Sequence, residues 1–259
     1  MEKNRCNIIL FLSLFFLTFS ICLNAQKPKR YSFKIEQTLP HDVSAYTQGL
    51  FFHNGELYET TGQYGESSLR KVDLLKGTVI KRENFERKYF IEGSCVYKNR
   101  IYILTWRENR CFVYDIDTWK QLGYLYNSKE GWGLTTDGTT LIMSDGSSKL
   151  FFIDPETFVQ KKEITVKLDG SPITQLNELE YIKGEIWANV YGSDTILIIS
   201  PESGVVKSII DCSNLLPGAL VTRNTDVLNG IACDEKTGSI YLTGKYWPKM
   251  YKISLVEKK

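Results

Sequence analysis

Five dipeptides in the chain set a polar or aromatic residue before a glycine or glutamate at the head of an apolar run: Gln48-Gly49, Glu92-Gly93, Trp132-Gly133, Asn177-Glu178 and Asn229-Gly230. Brought to one place, their first members would supply carboxamides that both donate and accept, a carboxylate that can take and return a proton, and an indole wall. That equipment suits a small hydrogen-bonding ligand. The chain has only two histidines, His41 and His53, both near its beginning. A histidine-centred triad or a His-rich metal site deep in the fold is therefore not expected, and any acid or base should be a carboxylate.

What could gather residues spread over 180 positions is a repeat. The second members of the dipeptides, at 49, 93, 133, 178 and 230, lie 44, 40, 45 and 52 residues apart. After each opening come a short apolar strand and a hairpin signal: His53-Asn54-Gly55, Lys98-Asn99-Arg100, Asp137-Gly138, Lys183-Gly184 and Lys236-Thr237-Gly238. A second strand follows, and then a third over residues 68–72, 111–115, 150–154, 196–200 and 250–254. Three copies continue through a polar turn into a more polar fourth strand, as at 159–166 and 205–210. Four strands per copy describe a propeller blade. The expectation is an all-β, five-bladed β-propeller with four-stranded antiparallel blades, filling residues 26–259 as one domain. The last copy stops after its third strand, while residues 31–39 form an unclaimed outer strand, so the N-terminal strand should join the C-terminal blade and close the ring. In a propeller the innermost strands all start at one end of the central channel, which places the five dipeptides around one mouth.

Composition narrows the partners. Thirty-two basic against 30 acidic residues leave a formal charge of +2, with no excess to neutralise a run of phosphates, so nucleic acid is not expected as a partner. Lys3 and Arg5 precede an apolar run over 8–23, after which Asn24-Ala25 gives way to polar sequence. This reads as a secretory signal peptide over 1–25, implying export to a periplasm or the extracellular space, with lipid attachment at Cys22 or an uncleaved anchor as alternatives. No membrane association is expected once it is removed. Cys95, Cys111, Cys212 and Cys233 then remain, none with CxxC spacing. They are expected to be small buried hydrophobes, a Cys212 to Cys233 bridge being the alternative.

The openings and their surroundings resemble the glutaminyl-peptide cyclotransferases of the plant and bacterial type, which are five-bladed propellers. The similarity runs through Tyr46-Thr47-Gln48-Gly49-Leu50, residues 59–68, Phe90-Ile91-Glu92-Gly93, Leu104-Thr105-Trp106, Glu130-Gly131-Trp132-Gly133-Leu134, Leu176-Asn177-Glu178-Leu179-Glu180-Tyr181, Trp187-Ala188-Asn189-Val190, Val227-Leu228-Asn229-Gly230-Ile231-Ala232 and Leu242-Thr243-Gly244-Lys245-Tyr246-Trp247-Pro248. The resemblance implies conversion of the N-terminal glutamine of peptides or proteins to pyroglutamate with release of ammonia. It makes Glu92 the catalytic base and then acid, with Trp106 and Trp132 raising its pKa by excluding water. Gln48 and Asn177 would hold the substrate's carboxamide and first peptide group, and Lys245 would steady the oxyanion or pair with Glu92. Tyr191 stands where relatives carry tryptophan, which narrows one wall. No metal is required on this reading. Some relatives hold a calcium-like ion in the channel, but no dedicated ligand set is evident here. The protein is expected to be a monomer. Trp119, Trp187 and Trp247 should pack between blades. Glu178 and Glu180, alternating with Leu179, should share a strand face, with Glu178 structural.

Two rival readings are a metal-dependent lactonase-like hydrolase, which would need several converging oxygen or nitrogen ligands, and a secreted binding module using the propeller rim. One consequence can be tested on the protein itself. Cleavage after Ala25 leaves Gln26 at the mature N-terminus, and intact mass spectrometry of exported protein should find it as pyroglutamate; an unmodified glutamine or another start would refute this.

Overall fold

In the second strand of the second copy, Ile101 and Ile103 point one way and Tyr102 and Leu104 the other, and all four are fully buried. A strand covered on both faces needs a neighbour on each side, and the architecture supplies one. The computed structural model describes residues 27–258. The sequence reading of residues 1–25 lies outside the described residues.

The chain begins with β1 (Lys29–Pro40). Three four-stranded antiparallel sheets follow. The first contains β2 (Thr47–His53), β3 (Glu56–Thr61), β4 (Ser68–Asp73) and β5 (Thr78–Asn84). The second contains β6 (Ile91–Tyr97), β7 (Arg100–Thr105), β8 (Arg110–Asp115) and β9 (Gln121–Tyr126), and the third β10 (Leu134–Thr136), β11 (Leu141–Ser144), β12 (Lys149–Ile153) and β13 (Gln160–Thr165). A two-stranded ribbon, β14 (Lys167–Leu168) and β15 (Ser171–Pro172), was not anticipated by the repeat. The remaining strands are β16 (Leu176–Ile182), β17 (Glu185–Val190), β18 (Thr195–Ile199), β19 (Val206–Asp211), β20 (Leu228–Asp234), β21 (Ser239–Gly244) and β22 (Lys249–Glu257). They form one eight-stranded sheet in the order β16-β17-β18-β19-β1-β22-β21-β20. Its two halves are each four-stranded, joined only where Lys29, Arg30 and Tyr31 pair in parallel with β19.

The long partner of β1 is β22, antiparallel from Tyr31↔Glu257 to Pro40↔Lys249. The N-terminal strand thus completes the last four-stranded unit, as expected. Its short parallel junction with β19 was not foreseen. The first strands β2, β6, β10, β16 and β20 contact one another in cyclic order, giving an all-β, propeller-like arrangement. Five apolar clusters lie between successive units. One packs Phe51, Tyr58 and Leu69 against Ile101, Ile103 and Phe112, and another closes the cycle by packing Leu50 and Leu57 against Ala232, Tyr241 and Met250. The outer strands have neighbours on fewer sides, so β5 and β13 are largely exposed. Trp119, Trp187 and Trp247 are buried in these clusters. The four cysteines are free and buried; the Cys212 to Cys233 bridge does not form, and each thiol packs as an apolar side chain.

At their entry ends the first strands come unusually close. A Cβ at Gly93 would meet the backbone of Trp132 and Leu134, and one at Gly133 would collide with the carbonyl of Asn177. With the similar approach of Gly49 to the Ser94 amide, this contact explains the glycine in the first three copies, whereas Gly230 is required by its own backbone, at φ 125°. Gly133→Ala is expected to lower stability by about 1–3 kcal/mol through overpacking, with a matching fall in activity as Asn177 is displaced. Urea unfolding would test this, and an unchanged midpoint would defeat it.

Candidate functional site

Regular ladders would leave the opening residues alternating between sheet faces. Instead the ladder slips at four of the five openings: between Thr47 and Gly49, Ile91 and Ser94, Leu176 and Leu179, and Leu228 and Ile231. Gln48, Glu92, Asn177 and Asn229 all fall within these bulges, which re-aim side chains out of the pleat. In the third sheet Trp132 stands just before β10, and its backbone N–H donates to the carbonyl of Ser144. Hydrogen bonds across units fix these positions. Thr60 Oγ1 donates to the Glu92 carbonyl (2.8 Å), Ser144 Oγ to the Asn177 carbonyl (2.7 Å), and Asn229 Nδ2 to the Thr47 carbonyl (2.9 Å).

The outcome is a pocket of about 280 Å³ lined by Tyr46, Gln48, Gln63, Phe90, Glu92, Trp106, Trp132, Asn177, Tyr191 and Lys245. All seven residues singled out from the sequence, Glu92, Lys245, Gln48, Trp106, Trp132, Asn177 and Tyr191, meet there. Asn229 lies just behind, with Nδ2 reaching Gln48 Oε1 (3.4 Å). Sequence reasoning assigned no role to Tyr46, Gln63 and Phe90, although Tyr46 and Phe90 stand two residues ahead of Gln48 and Glu92. Both stand just before β2 and β6 at the same place in their copies, and that repeated aromatic position is a signal that could have found them. The three aromatic side chains Tyr46, Phe90 and Trp106 form an edge-to-face series, with ring centroids 6.1 Å and 5.5 Å apart. Tyr191 packs edge-on against Trp132 at 5.8 Å.

Glu92 is buried, and burial drives its carboxyl pKa well above the ordinary glutamate value. Lys245 opposes that rise, while the charges of Glu108 and Glu130 add to it. The direct pairing of Lys245 with Glu92 considered from the sequence is not made. The Lys245 ammonium sits over the ring of Tyr46 (4.4 Å) and near that of Tyr191 (5.1 Å), a cation–π cage in place of a counter-ion. Burial lowers its pKa, against the pull of Glu92 and Asp226. The left-handed turn at Tyr246 (φ 59°), whose N–H bonds the Ala45 carbonyl, holds this lysine at the mouth. Asn177 lines the pocket, and its Oδ1 atom is buried with no hydrogen-bond partner.

Two further buried carboxylates stand beside the channel. Glu178 accepts from the N–H groups of Leu50 (3.3 Å) and Ile231 (2.8 Å), and Glu180 from that of Cys233 (3.0 Å) and from Thr135 Oγ1 (3.4 Å). They share a strand face, as alternation predicts, and Glu178 is structural, tying three units together. Burial pushes Glu180 up to about 8, and it pushes Glu178 up as well, helped by repulsion from Glu180. Among the described residues no three His, Cys, Asp or Glu side chains converge as metal ligands. The carboxylate oxygens of Glu178 and Glu180 already take N–H or O–H donors, so they do not form a ready cage for a cation.

A propeller-like frame thus carries one pocket in which a buried carboxyl group, carboxamides, aromatic walls and an aromatic-caged ammonium meet, the equipment of an enzyme site. The family model "Glutamine cyclotransferase" matches residues 9–255. The chain is 44% identical over 220 residues to a glutaminyl-peptide cyclotransferase of Arabidopsis thaliana, covering 83% of this chain and 69% of that protein. Its fold superposes on the crystal structure of Myxococcus xanthus glutaminyl cyclase with a TM-score of 0.85 at 34% identity, covering 90% of this chain and 100% of the other. The chain belongs to the glutamine cyclotransferase family.

The electrostatics of Glu92 carry a consequence for stability. A raised pKa makes the folded state the better proton binder, so the contribution of Glu92 is most favourable below about pH 4 and declines as pH rises toward its own ionisation. Glu92→Gln removes that decline. It is expected to be no less stable than wild type at pH 4 and progressively more stable above it, by up to about 1.4 kcal/mol per pH unit until Glu92 ionises. Denaturant titrations at several pH values would measure this, and a variant destabilised equally at all of them would contradict it.

Proposed function

We propose that this protein is a glutaminyl-peptide cyclotransferase built on a five-bladed propeller, converting N-terminal glutamine to pyroglutamate with release of ammonia. The observation that carries the reading is the placement of Glu92: buried, with raised pKa and no ion pair, in a pocket that offers carboxamide partners and aromatic walls. Family membership points the same way, since the Arabidopsis relative bears that activity in its name. Five apolar clusters and a cyclic order of first strands support the five-blade count.

The reaction needs one proton moved twice. The α-amine of the substrate, as free base, attacks its own side-chain carbonyl carbon, forming the ring C–N bond and an oxyanion. Ionised Glu92 takes the proton that the amine nitrogen sheds, then gives it to the carboxamide nitrogen as the old C–N bond breaks and ammonia leaves. A raised carboxyl pKa lies closer to that of an α-amine, about 8, than an ordinary glutamate's does, which makes Glu92 the stronger base for the first transfer. Lys245, its charge held by Tyr46 and Tyr191, stabilises the oxyanion. Asn177 Oδ1 accepts from a substrate N–H, Gln48 binds the carboxamide, and Trp106 and Trp132 cover the aliphatic stem. Tyr191 forms the wall nearest the second substrate residue. Residues 1–25 export the chain, 26–259 act as a monomeric single domain, and no metal takes part in the proton transfers.

Ammonia release from a short peptide with N-terminal glutamine tests the reading. Wild type should be active with or without a chelator, and Glu92→Gln should lose roughly 10²–10⁴-fold in kcat, the range for a removed acid–base group. Chelator sensitivity would favour a metal-dependent hydrolase. Release by neither protein would leave a binding module.

A further inference from the structure

The pocket has two indole walls from different units. Trp106 follows β7 in the second sheet and Trp132 precedes β10 in the third. Neither is fully buried, so packing alone does not fix either ring. Both indole N–H groups instead converge on one atom. Glu130 Oε2 accepts from Trp106 Nε1 at 2.9 Å and from Trp132 Nε1 at 3.4 Å, while Glu130 Oε1 accepts from Arg107 Nε at 2.8 Å. The guanidinium of Arg107 in turn lies 3.7 Å from the centre of the Trp106 ring. Trp106 is thus pinned at its edge by Glu130 and on its face by Arg107, with Phe90 edge-on to it.

We propose that Glu130 is a positioning residue of this pocket, locking the two tryptophan walls to each other across the boundary between units. The inference rests on the cyclotransferase reading for its effect on turnover, but not for its structural content. A carboxylate suits the role because its oxygens can accept several donors at once, and a charged acceptor bonds an indole N–H more strongly than a neutral one. Burial works against its charge, yet the bonds to Arg107, Trp106 and Trp132 outweigh it and hold Glu130 below the ordinary glutamate value. Without that anchor each indole regains rotamer freedom, and substrate must order both rings as it binds. The loss should therefore fall chiefly on KM.

The experiment combines kinetics with the indole N–H signals of the five tryptophans in ¹H–¹⁵N spectra of the full protein. In Glu130→Ala, two indole signals should shift upfield, those assigned through Trp106→Phe and Trp132→Phe. KM for a glutamine-initiated peptide should rise roughly tenfold to a hundredfold, with a smaller change in kcat. Glu130→Gln keeps one acceptor oxygen and should recover much of the KM. Arg107→Ala removes the ion pair and the cation over the Trp106 face but leaves both indole bonds to Glu130 and the Trp132 wall untouched, so it should raise KM clearly less than Glu130→Ala does. Unmoved indole signals in Glu130→Ala, or an Arg107→Ala variant as damaged as Glu130→Ala, would overturn the proposal. Should Glu130→Ala fail to fold, unmoved signals and an unchanged KM in Glu130→Gln would overturn it equally. If wild type released no ammonia, the cyclotransferase reading would fall while the indole shifts still decided the role of Glu130.

Discussion

The contact that everything else depends on is the close approach of the first strands at their entry ends. Where a sheet offers its neighbour a bare Cα at Gly93 or Gly133, the next unit's backbone moves in until carbonyl and amide bond directly, as Gly93 N–H does to the Trp132 carbonyl at 2.7 Å. In the second sheet the ladder slips at that height, and Glu92, just before the glycine, is turned toward the shared opening. One local device, repeated, therefore builds a site from residues that no single sheet could assemble. The fourth copy departs from it. Glu178 takes the glycine's place, and its carboxylate bonds to the N–H groups of Leu50 and Ile231 in the first and last units. The side chain that breaks the repeat is thereby used to tie the ring across its axis.

Buried carboxylates occur in several environments here, and the differences separate structure from chemistry. Glu59 is ion-paired to His41 and accepts from Thr47; burial works against its charge, but these partners win and hold its pKa low. Glu178 and Glu180 have only neutral donors and stay raised. The Glu92 carboxyl makes no hydrogen bond or ion pair among the described residues, and the Lys245 ammonium that favours its charge sits over two tyrosine rings. A group that structure alone required would have been given a partner, because an unpaired buried carboxyl is costly. Glu92 lines the pocket without such a partner, and the proposed function rests on that placement.

The repeat was readable because burial on both faces forces apolar residues into every second strand and turn chemistry into every hairpin. Asn54-Gly55 and Lys183-Gly184 both adopt the positive φ pairs that such hairpins demand. The junction of β1 with β19 was not readable, since three parallel pairings leave no periodic mark. Within the site, the openings exposed Gln48, Glu92, Trp132 and Asn177 through their spacing. Trp106, Tyr191 and Lys245 came only with the family resemblance, because they lie beyond the ends of second strands, where no pattern constrains them. The role of Glu130 was hidden for another reason. It sits two residues before Trp132, in a loop where a charged residue is unremarkable, and its meaning lies in an indole 24 residues away.

Because the site draws on every unit, its geometry is only as firm as the seam between the first and the last. That seam is more than strand pairing. His41 Nδ1 donates to the Trp247 carbonyl at 2.8 Å, and His41 Nε2 meets Glu59 Oε1 at 3.0 Å, so one buried ring bridges the last hairpin and the first sheet. Both ring nitrogens face acceptors, an arrangement that fits the doubly protonated imidazolium. Burial opposes that form, but Glu59 outweighs it and the His41 pKa is raised. Arg70, bonded to Asp42 at 2.9 Å, extends the network through the residue after His41. Trp247 lies two residues beyond Lys245, and Tyr246 between them bonds Ala45. Closure of the ring and the aim of the site lysine are therefore fixed by the same short turn. This is why a histidine that does not line the pocket is buried against the turn that carries the pocket's lysine.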